Sequence, residues 1–557
     1  MVSKSFQGSR KHALISIQDV CKAAVYAILV LYRRKFTMIK FIPLAIVATF
    51  IVFLFLYGAC ISGIVLKEPD ICFLLASGRW IVEHGQLPSS DPFSYSTIYH
   101  DQPYVIEKWL TEIIFFGLWK WTTPAGLLVF DAIILTLTFT IMPYRFLKLN
   151  GVSGLKALLL TSLATFTSFC HLAVRPEIFS YLIVAIYLEI LMRLRERNTT
   201  FHYQSVIVLV LLMALWSNLH TLFIVGLMIL AFYSVCLALE RALHFTQEKM
   251  DWTAPIAFVL SIPATLATPY GFTLWRYLPN IFGPFNDTNN EMQPIGPSNF
   301  KTITLYPFYL MITVCLVVFF RNAFKRPTKS GELFFKLLLP VGIAGGIKTI
   351  RTIPISDLFA SAGLAQICGS ARQRTDVTEG DSANETVPAS KIALIDKSID
   401  ELCQPMQPMW VALTLLVVSA GAYVMTIIIP PEFPQDSAAF QPPARAIEFI
   451  AKNRPKGRML NDPHFGNVLM WQLADAPPVF IDSRYNLYGN TLLQDFWKMA
   501  ENKPESQQLL DKYSIDWVFL NPKMQLVKAL SQNPEWTVLF QDSNSAIVAR
   551  KTPRQER

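Results

Sequence analysis

Residues 67–110 read KEPDICFLLASGRWIVEHGQLPSSDPFSYSTIYHDQPYVIEKWL, and they follow an apolar run, Phe41 to Leu66, long enough to span a bilayer. Glu68, Asp70, Asp91 and Glu107 therefore lie between two apolar regions. A charge beside hydrocarbon is costly unless it is solvated or paired, so these carboxylates are helix caps, solvated loop charges or parts of a site. Leu74, Leu75, Gly78, Ile81 and Val82 recur at helical spacing, which predicts a short helix lying flat on the membrane and ended by Gly85 and Pro88. A second surface helix is expected from about Glu107, carrying Trp109, Trp119 and Trp121, residues that favour the lipid–water interface.

Working outward, the 557-residue chain is 52% hydrophobic and only 16% charged, which makes it a polytopic α-helical membrane protein rather than an ordinary soluble one. The net charge of +9 does not point to nucleic acid. Its Lys and Arg residues sit in short clusters between apolar runs: Arg33-Arg34-Lys35, Arg193/Arg195/Arg197 and Arg321/Lys325/Arg326/Lys329. The positive-inside rule produces that distribution. The eight cysteines include no CxxC pair, so neither a disulfide framework nor a zinc site is expected. Residues 1–40 lack a cleavage site after a short apolar core and read as a cytoplasmic segment with an amphipathic helix.

At about 20 residues per span, about eleven spans are expected, at 41–66, 123–142, 155–171, 177–193, 204–219, 221–239, 253–269, 303–320, 333–347, 353–369 and 409–430. Placing Arg/Lys-rich connections inside gives a membrane domain over 41–430 and a disordered cytoplasmic loop over 369–407. The outer side then receives the first loop (67–122), the corners HLAVRPEIF (171–179) and WSNLH (216–220), the loop 268–300, the corner KTIRTIP (348–354) and everything after Pro430. After Pro430 the composition becomes that of a soluble domain. GRMLND, PPVFID, DWVFLNP, WTVLFQ and SAIVARK read as strands among helices, which argues a C-terminal soluble α/β domain over 431–557.

This sorting collects on one face the acids Asp70, Asp91, Glu107, Glu177 and Glu291, the cations Arg175, Lys348 and Arg351, and the polar groups Asn218 and His220. Acids and cations beside a bilayer suit a reaction on a lipid phosphate. A carboxylate takes the proton of an attacking hydroxyl, while guanidinium or ammonium groups stabilise the departing phosphate. Each residue also has a structural explanation: Asp70 as a helix cap, Asp91-Pro92 as a turn initiator, Glu107 at a helix start, Arg175 paired with Glu177, His220 satisfying a corner, Lys348 and Arg351 snorkelling. Asp70, Glu107 and His220 are ligand types for a divalent metal, without a local spacing that supports one. In the C-terminal domain Asp462, His464, Asp482, Arg484 and Tyr485 follow predicted strands, where loops form acceptor sites or merely cap and pair.

The stretch from Glu68 through EKWL, with RPEIFSYL, WSNLH, TPYG, the outer loop holding Glu291, and KTIRTIP, resembles the GT-C glycosyltransferase superfamily, which includes protein O-mannosyltransferases and lipid A aminoarabinose transferases. The likeness extends to GRMLNDPHFGNVLMW and PPVFIDSRYNLYG in the C-terminal segment. It implies a GT-C-like membrane enzyme of the bacterial inner membrane with an extracytoplasmic C-terminal domain. The implied reaction moves a sugar from a polyprenyl-phosphate donor to a glycan, lipid or protein acceptor. By that resemblance Asp70 is the catalytic base and Asp91 and Glu107 are further catalytic acids. By the same resemblance Arg175 and Arg351 match basic positions expected near a polyprenyl phosphate; Lys348, His220, Asn218 and Glu291, from the same outer face, complete the expected substrate-binding set. Two other classes stay open: a lipid-linked saccharide transporter or flippase, and a non-catalytic assembly protein of envelope polysaccharide biogenesis.

Overall fold

In the computed structural model the described residues are 69–99, 104–171, 173–197, 200–282, 302–322, 329–380, 407–428 and 441–552, with isolated positions at 54, 56, 58, 294, 295, 326 and 327. The expected N-terminal segment, nearly all of the first span, Glu68 and Glu291 lie outside them.

The quoted loop folds first into α1 (Asp70–His84). Its left-handed Gly85 (φ 65°) closes it with an N–H donated to the Ile81 carbonyl, the turn that glycine makes at least cost. Its surroundings differ from the surface-lying helix expected from the apolar spacing. Ile71 through Gly78 are all buried, so the first two turns are enclosed on every side. One wall is α2 (Trp109–Thr136), against which Gly78 packs so closely that a Cβ there would sit 2.1 Å from the Glu112 carbonyl oxygen. The other wall belongs to the C-terminal region: Arg79 donates to the Met470 and Trp471 carbonyls (2.8 and 3.1 Å) and stacks on the Trp471 ring at 4.9 Å. Ser77 and Arg79 of α1 therefore face protein rather than headgroups, while Glu83 and His84 of its last turn are exposed.

Within α2 the backbone turns at Thr123 (φ 63°, ψ 176°), immediately before Pro124. Proline cannot donate to the preceding turn and restricts the residue before it. The element is thus a Trp-bearing first segment and an apolar second segment that runs through a π turn (Leu137–Ile141) into α3 (Met142–Leu149).

There follow α4 (Gly154–Thr167), α5 (Glu177–Arg197), α6 (Tyr203–Leu219), α7 (Phe223–Ala242), α8 (Thr253–Ala264), α9 (Phe272–Phe282), α10 (Tyr306–Asn322), α11 (Glu332–Lys348), α12 (Ile353–Gly380) and α13 (Gln407–Ile428). A helix stands at each expected span after the first. Among the described residues four stretches are long and apolar enough to cross a membrane: Trp109–Leu149, Phe223–Ala242, Ile303–Asn322 and Val411–Ile428. The chain is thus a helical membrane protein. Helix α12 overruns its expected end at 369 and continues to Gly380, so the first part of the expected disordered loop is helical.

Residues 441–552 build an α/β unit: α14 (Ala444–Asn453), β1 (Arg458–Asn461), α15 (Pro463–Gln472), α16 (Gly489–Ala500), α17 (Ser506–Lys512), β2 (Ile515–Leu520), α18 (Gln525–Gln532), β3 (Trp536–Gln541) and β4 (Ala546–Arg550). The sheet order is β1-β2-β4-β3, with β1 parallel to β2 and the other pairs antiparallel. Every residue of β2 is buried, as a central strand covered on both faces requires. PPVFID, expected as a strand of this sheet, instead pairs with the first loop. Val479 donates to the Phe93 carbonyl (2.9 Å) and accepts from the Tyr95 N–H (3.1 Å), forming an isolated parallel bridge.

Candidate active site

Several chain segments deliver polar side chains to one place. Asp70 is the first residue of α1, where a carboxylate also suits the helix dipole. Arg175 sits in the corner before α5, and its guanidinium lies 3.7 Å from the Asp70 carboxylate. Glu177 opens α5 and is buried; the Arg351 guanidinium, from the 3-10 turn Ile350–Thr352 between α11 and α12, donates to it at 2.6 Å. Arg351 and Arg175 in turn lie within electrostatic reach of each other. The corner between α6 and α7 contributes His220, whose Nε2 is 4.0 Å from Glu177 and whose Nδ1 meets Ser180 Oγ at 2.9 Å. Trp216 donates to the same Ser180 oxygen (2.8 Å).

Lys108, at the start of α2, ties these pairs together. Burial works against its charge, but Glu107, then Glu112, Glu177 and Asp70, outweigh burial and raise its pKa above the ordinary lysine value. Glu107 is 3.5 Å from the Lys108 ammonium. Burial pushes His220 down to about 4, against the pull of Glu177, with Lys108 and Arg351 adding to the depression. The imidazole is therefore uncharged near neutrality; its hydrogen bond goes to Ser180, and Glu177 lies just beyond hydrogen-bond distance.

The C-terminal unit reaches into the same cluster. Asn467 of α15 approaches Asp70 Oδ1 at 3.4 Å and is itself fixed by Ser483, donating to its Oγ (2.7 Å) and accepting from its N–H (3.1 Å). Asn486 donates to Tyr277 (3.1 Å) and approaches Glu107 (3.4 Å). Lys108 and Asn467 were not singled out by sequence reasoning. Lys108 is visible in the EKWL motif only once Glu107 is known to point inward, and nothing local in DPHFGNV announces that Asn467 meets a residue 397 positions away.

Other sequence candidates are placed differently. Asp91 is fully enclosed, accepting from Arg484 at 3.1 Å on both oxygens, from the Phe93 N–H at 3.0 Å and from Ser94 Oγ. Arg484 also holds Asp482 (2.6 Å) and donates to Tyr104 (3.0 Å). Burial raises the Asp91 pKa and Asp482 adds to it, with Arg484 opposing. Asp91 is thereby a buckle between the first loop and the C-terminal unit, engaged on both oxygens and apart from the Asp70–Arg175 pair. Asn218 commits its carboxamide to Trp109 Nε1 (3.0 Å) and to the Ala214 and Ala267 carbonyls (2.8 Å each), so it holds the fold at this corner. Lys348 is exposed at the end of α11. Asp462 caps α15, bonding the His464 and Phe465 amides. Among the described residues no three His, Cys, Asp or Glu side chains come together in a way that would hold a metal ion. Asp70, Glu107 and His220 thus do not form a ligand set, the last being turned to Glu177 and Ser180.

What fold and side chains define is a helical membrane protein with an acid–guanidinium cluster where its helices meet an α/β unit. Solved structures similar to this chain include the archaeal oligosaccharyltransferase AglB from Archaeoglobus fulgidus in complex with an inhibitory peptide and a dolichol-phosphate (TM-score 0.48, 10% identity, covering 85% of this chain and 69% of that one). They also include ArnT from Cupriavidus metallidurans in the apo state (TM-score 0.46, 12% identity, 91% and 97%) and bound to undecaprenyl phosphate (0.43, 12%, 91% and 97%). No protein-family model matches the chain, and no curated protein matches it in sequence. The functional reading therefore rests on the side chains themselves.

Proposed function

We propose that the protein is a GT-C-type membrane glycosyltransferase that moves a sugar from a polyprenyl-phosphate donor to the hydroxyl of an extracytoplasmic glycan, lipid or protein. The observation that carries this reading is the pairing of Asp70 with Arg175 at 3.7 Å beside the Arg351–Glu177 pair. One carboxylate and two guanidinium groups answer the two needs of the reaction. Asp70 takes the proton of the acceptor hydroxyl as its oxygen bonds to the anomeric carbon. The bond from that carbon to the phosphate oxygen breaks with both electrons, and the polyprenyl phosphate leaves as an anion. Arg175 and Arg351, with Lys108, stabilise that anion; a phosphate needs no proton to depart. Asn467 orients Asp70, and Glu177 fixes Arg351.

The site is assigned to the outer face of a bacterial inner membrane, the side opposite the arginine-rich connections. The test uses full-length protein in nanodiscs. Undecaprenyl phosphate is expected to raise the melting temperature of the wild type and of Asp70→Asn, and to do so far less for Arg175→Ala and Arg351→Ala. Profiling of lipids and glycans in a strain carrying only Asp70→Asn is expected to match a deletion strain. Wild-type profiles in that strain would remove Asp70 as the base.

Asp131 and Asp357 favour a second reading, since both are buried in the helical region with no partner among the described residues. Unpaired acids of this kind suit a carrier of lipid-linked saccharides. That reading gains if Asp131→Asn or Asp357→Asn reproduces the deletion profile while Asp70→Asn does not.

A further inference from the structure

The α5–α6 hairpin starts and ends at the Asp70 cluster, with Glu177 at one end and His220 at the other. A helix of 21 residues at about 1.5 Å per residue is about 30 Å long, one hydrocarbon thickness. With α5 and α6 taken as the spans expected from the sequence at 177–193 and 204–219, the end of α5 and the start of α6 lie at the membrane face opposite the Asp70 cluster. A cavity of about 160 Å³ opens there, lined by Ile190, Arg193, Leu194, Arg197, Gln204 and Val208 together with His202 and Ser205. At ~30 Å³ per water it holds about five waters.

Charge at its rim is unbalanced. Glu189 is shared by Arg145 (2.5 and 2.9 Å) and Arg193 (2.7 and 2.8 Å). Glu196, next along the chain, is taken by Arg195 and Lys329. Arg197 meets the His202 ring at 2.5 Å and has no carboxylate partner among the described residues. Two guanidinium groups thus share Glu189, and Arg197 adds a third positive charge that no carboxylate among the described residues balances. The first turn of α6 faces the same cavity through Gln204 and Ser205; the His202 ring caps it by accepting from the Ser205 N–H, which leaves the Tyr203 and Gln204 N–H groups ahead of the first intrahelical bond. From Gln204 the helix carries Val208, Leu211 and Leu215, spaced i, i+4, i+7 and i+11 on one face, each at least 45% exposed. A cationic mouth opens onto an unpartnered apolar stripe that runs toward the membrane interior.

We infer that the end of α5 and the start of α6 bind an anionic phospholipid, its phosphodiester headgroup held by Arg197, Arg193 and the first N–H groups of α6 and one acyl chain lying along Val208, Leu211 and Leu215. The stripe is what selects a lipid over free phosphate. The site is independent of the glycosyl-transfer reading, since none of its residues belongs to the Asp70 cluster.

The test measures lipids retained by full-length protein in native mass spectrometry after exchange into phosphatidylglycerol or phosphatidylcholine. Wild type is expected to retain phosphatidylglycerol preferentially. Arg197→Ala is expected to weaken that retention about fivefold, the effect of one basic residue at a membrane surface. Val208→Trp, which fills the cavity and leaves every charge in place, is expected to abolish the preference. Equal retention of both lipids by the wild type, or an undiminished preference in Val208→Trp, overturns the proposal. So does thermal protection by inorganic phosphate alone equal to that by phosphatidylglycerol.

Discussion

His220 shows how far burial changes what a residue type implies. A histidine in a polar corner on the same face as acids and arginines reads as a substrate contact. Enclosed, and held near 4 by burial, it is a group whose protonation the fold resists. An unfolded histidine titrates near 6.5, so between about pH 6.5 and 4 the unfolded chain binds more protons than the native one. Stability from this group is complete above pH 6.5 and is lost as the pH falls toward 4, by on the order of 3 kcal/mol for a shift of about 2.5 units. His220→Asn is expected to flatten that part of the stability profile in denaturant titrations at stepped pH. An acid sensitivity identical to that of the wild type would mean that the imbalance lies in other groups. The same distinction separates Asp70 from Asp91. Both are acids of one loop in the sequence, yet one keeps part of its surface open beside Arg175 and the other is enclosed by Arg484. Neither fate is written in its neighbours along the chain.

Helix α1 shows which parts of an element local sequence encodes. Its length, its glycine stop and the restart at Lys108–Trp109 follow from apolar spacing and from residues that favour particular backbone angles, all local properties. Its surroundings do not, because the face expected to meet headgroups is covered by α15 from the far end of the chain. PPVFID fails for the same reason: an apolar β-prone run specifies extended backbone but not its partner, and here the partner is Phe93–Tyr95. The close approach at Gly78 gives this packing a measurable consequence. A methyl group there would collide with the Glu112 carbonyl and force α1 and α2 apart. Gly78→Ala is expected to cost about 1–3 kcal/mol, the usual range for overpacking. Gly85→Ala, at φ 65° but with open space around it, is expected to cost about 1 kcal/mol through backbone strain alone. Thermal denaturation of the two variants side by side checks the order; a milder effect at Gly78 would mean the helices can separate freely.

Across the molecule, the membrane helices and the α/β unit meet through the first loop, and Arg484 is the centre of that meeting. It binds Asp482 from its own unit and Asp91 and Tyr104 from the loop, all shielded from solvent. Tyr95 adds a bond to the Met459 carbonyl (2.9 Å), and Arg79 adds its pair to Met470 and Trp471. The α/β unit is thus held against α1, which is why Asn467 can stand beside Asp70. Removing Arg484 leaves two enclosed carboxylates facing one another, and breaking a buried pair in this way costs about 3–5 kcal/mol. Arg484→Met is therefore expected to split a single thermal transition into two, with hydrogen exchange rising first at Phe93–Ser96 and Val479–Asp482. Neutralising all three positions together, as Asp91→Asn, Asp482→Asn and Arg484→Met, is expected to recover much of the loss, because the cost lies in uncompensated charge rather than in missing attraction. If Arg484→Met alone keeps one transition at the wild-type temperature, the union is carried by the backbone bridge and the Arg79 contacts. Asn467 would then keep its place beside Asp70 without the buckle.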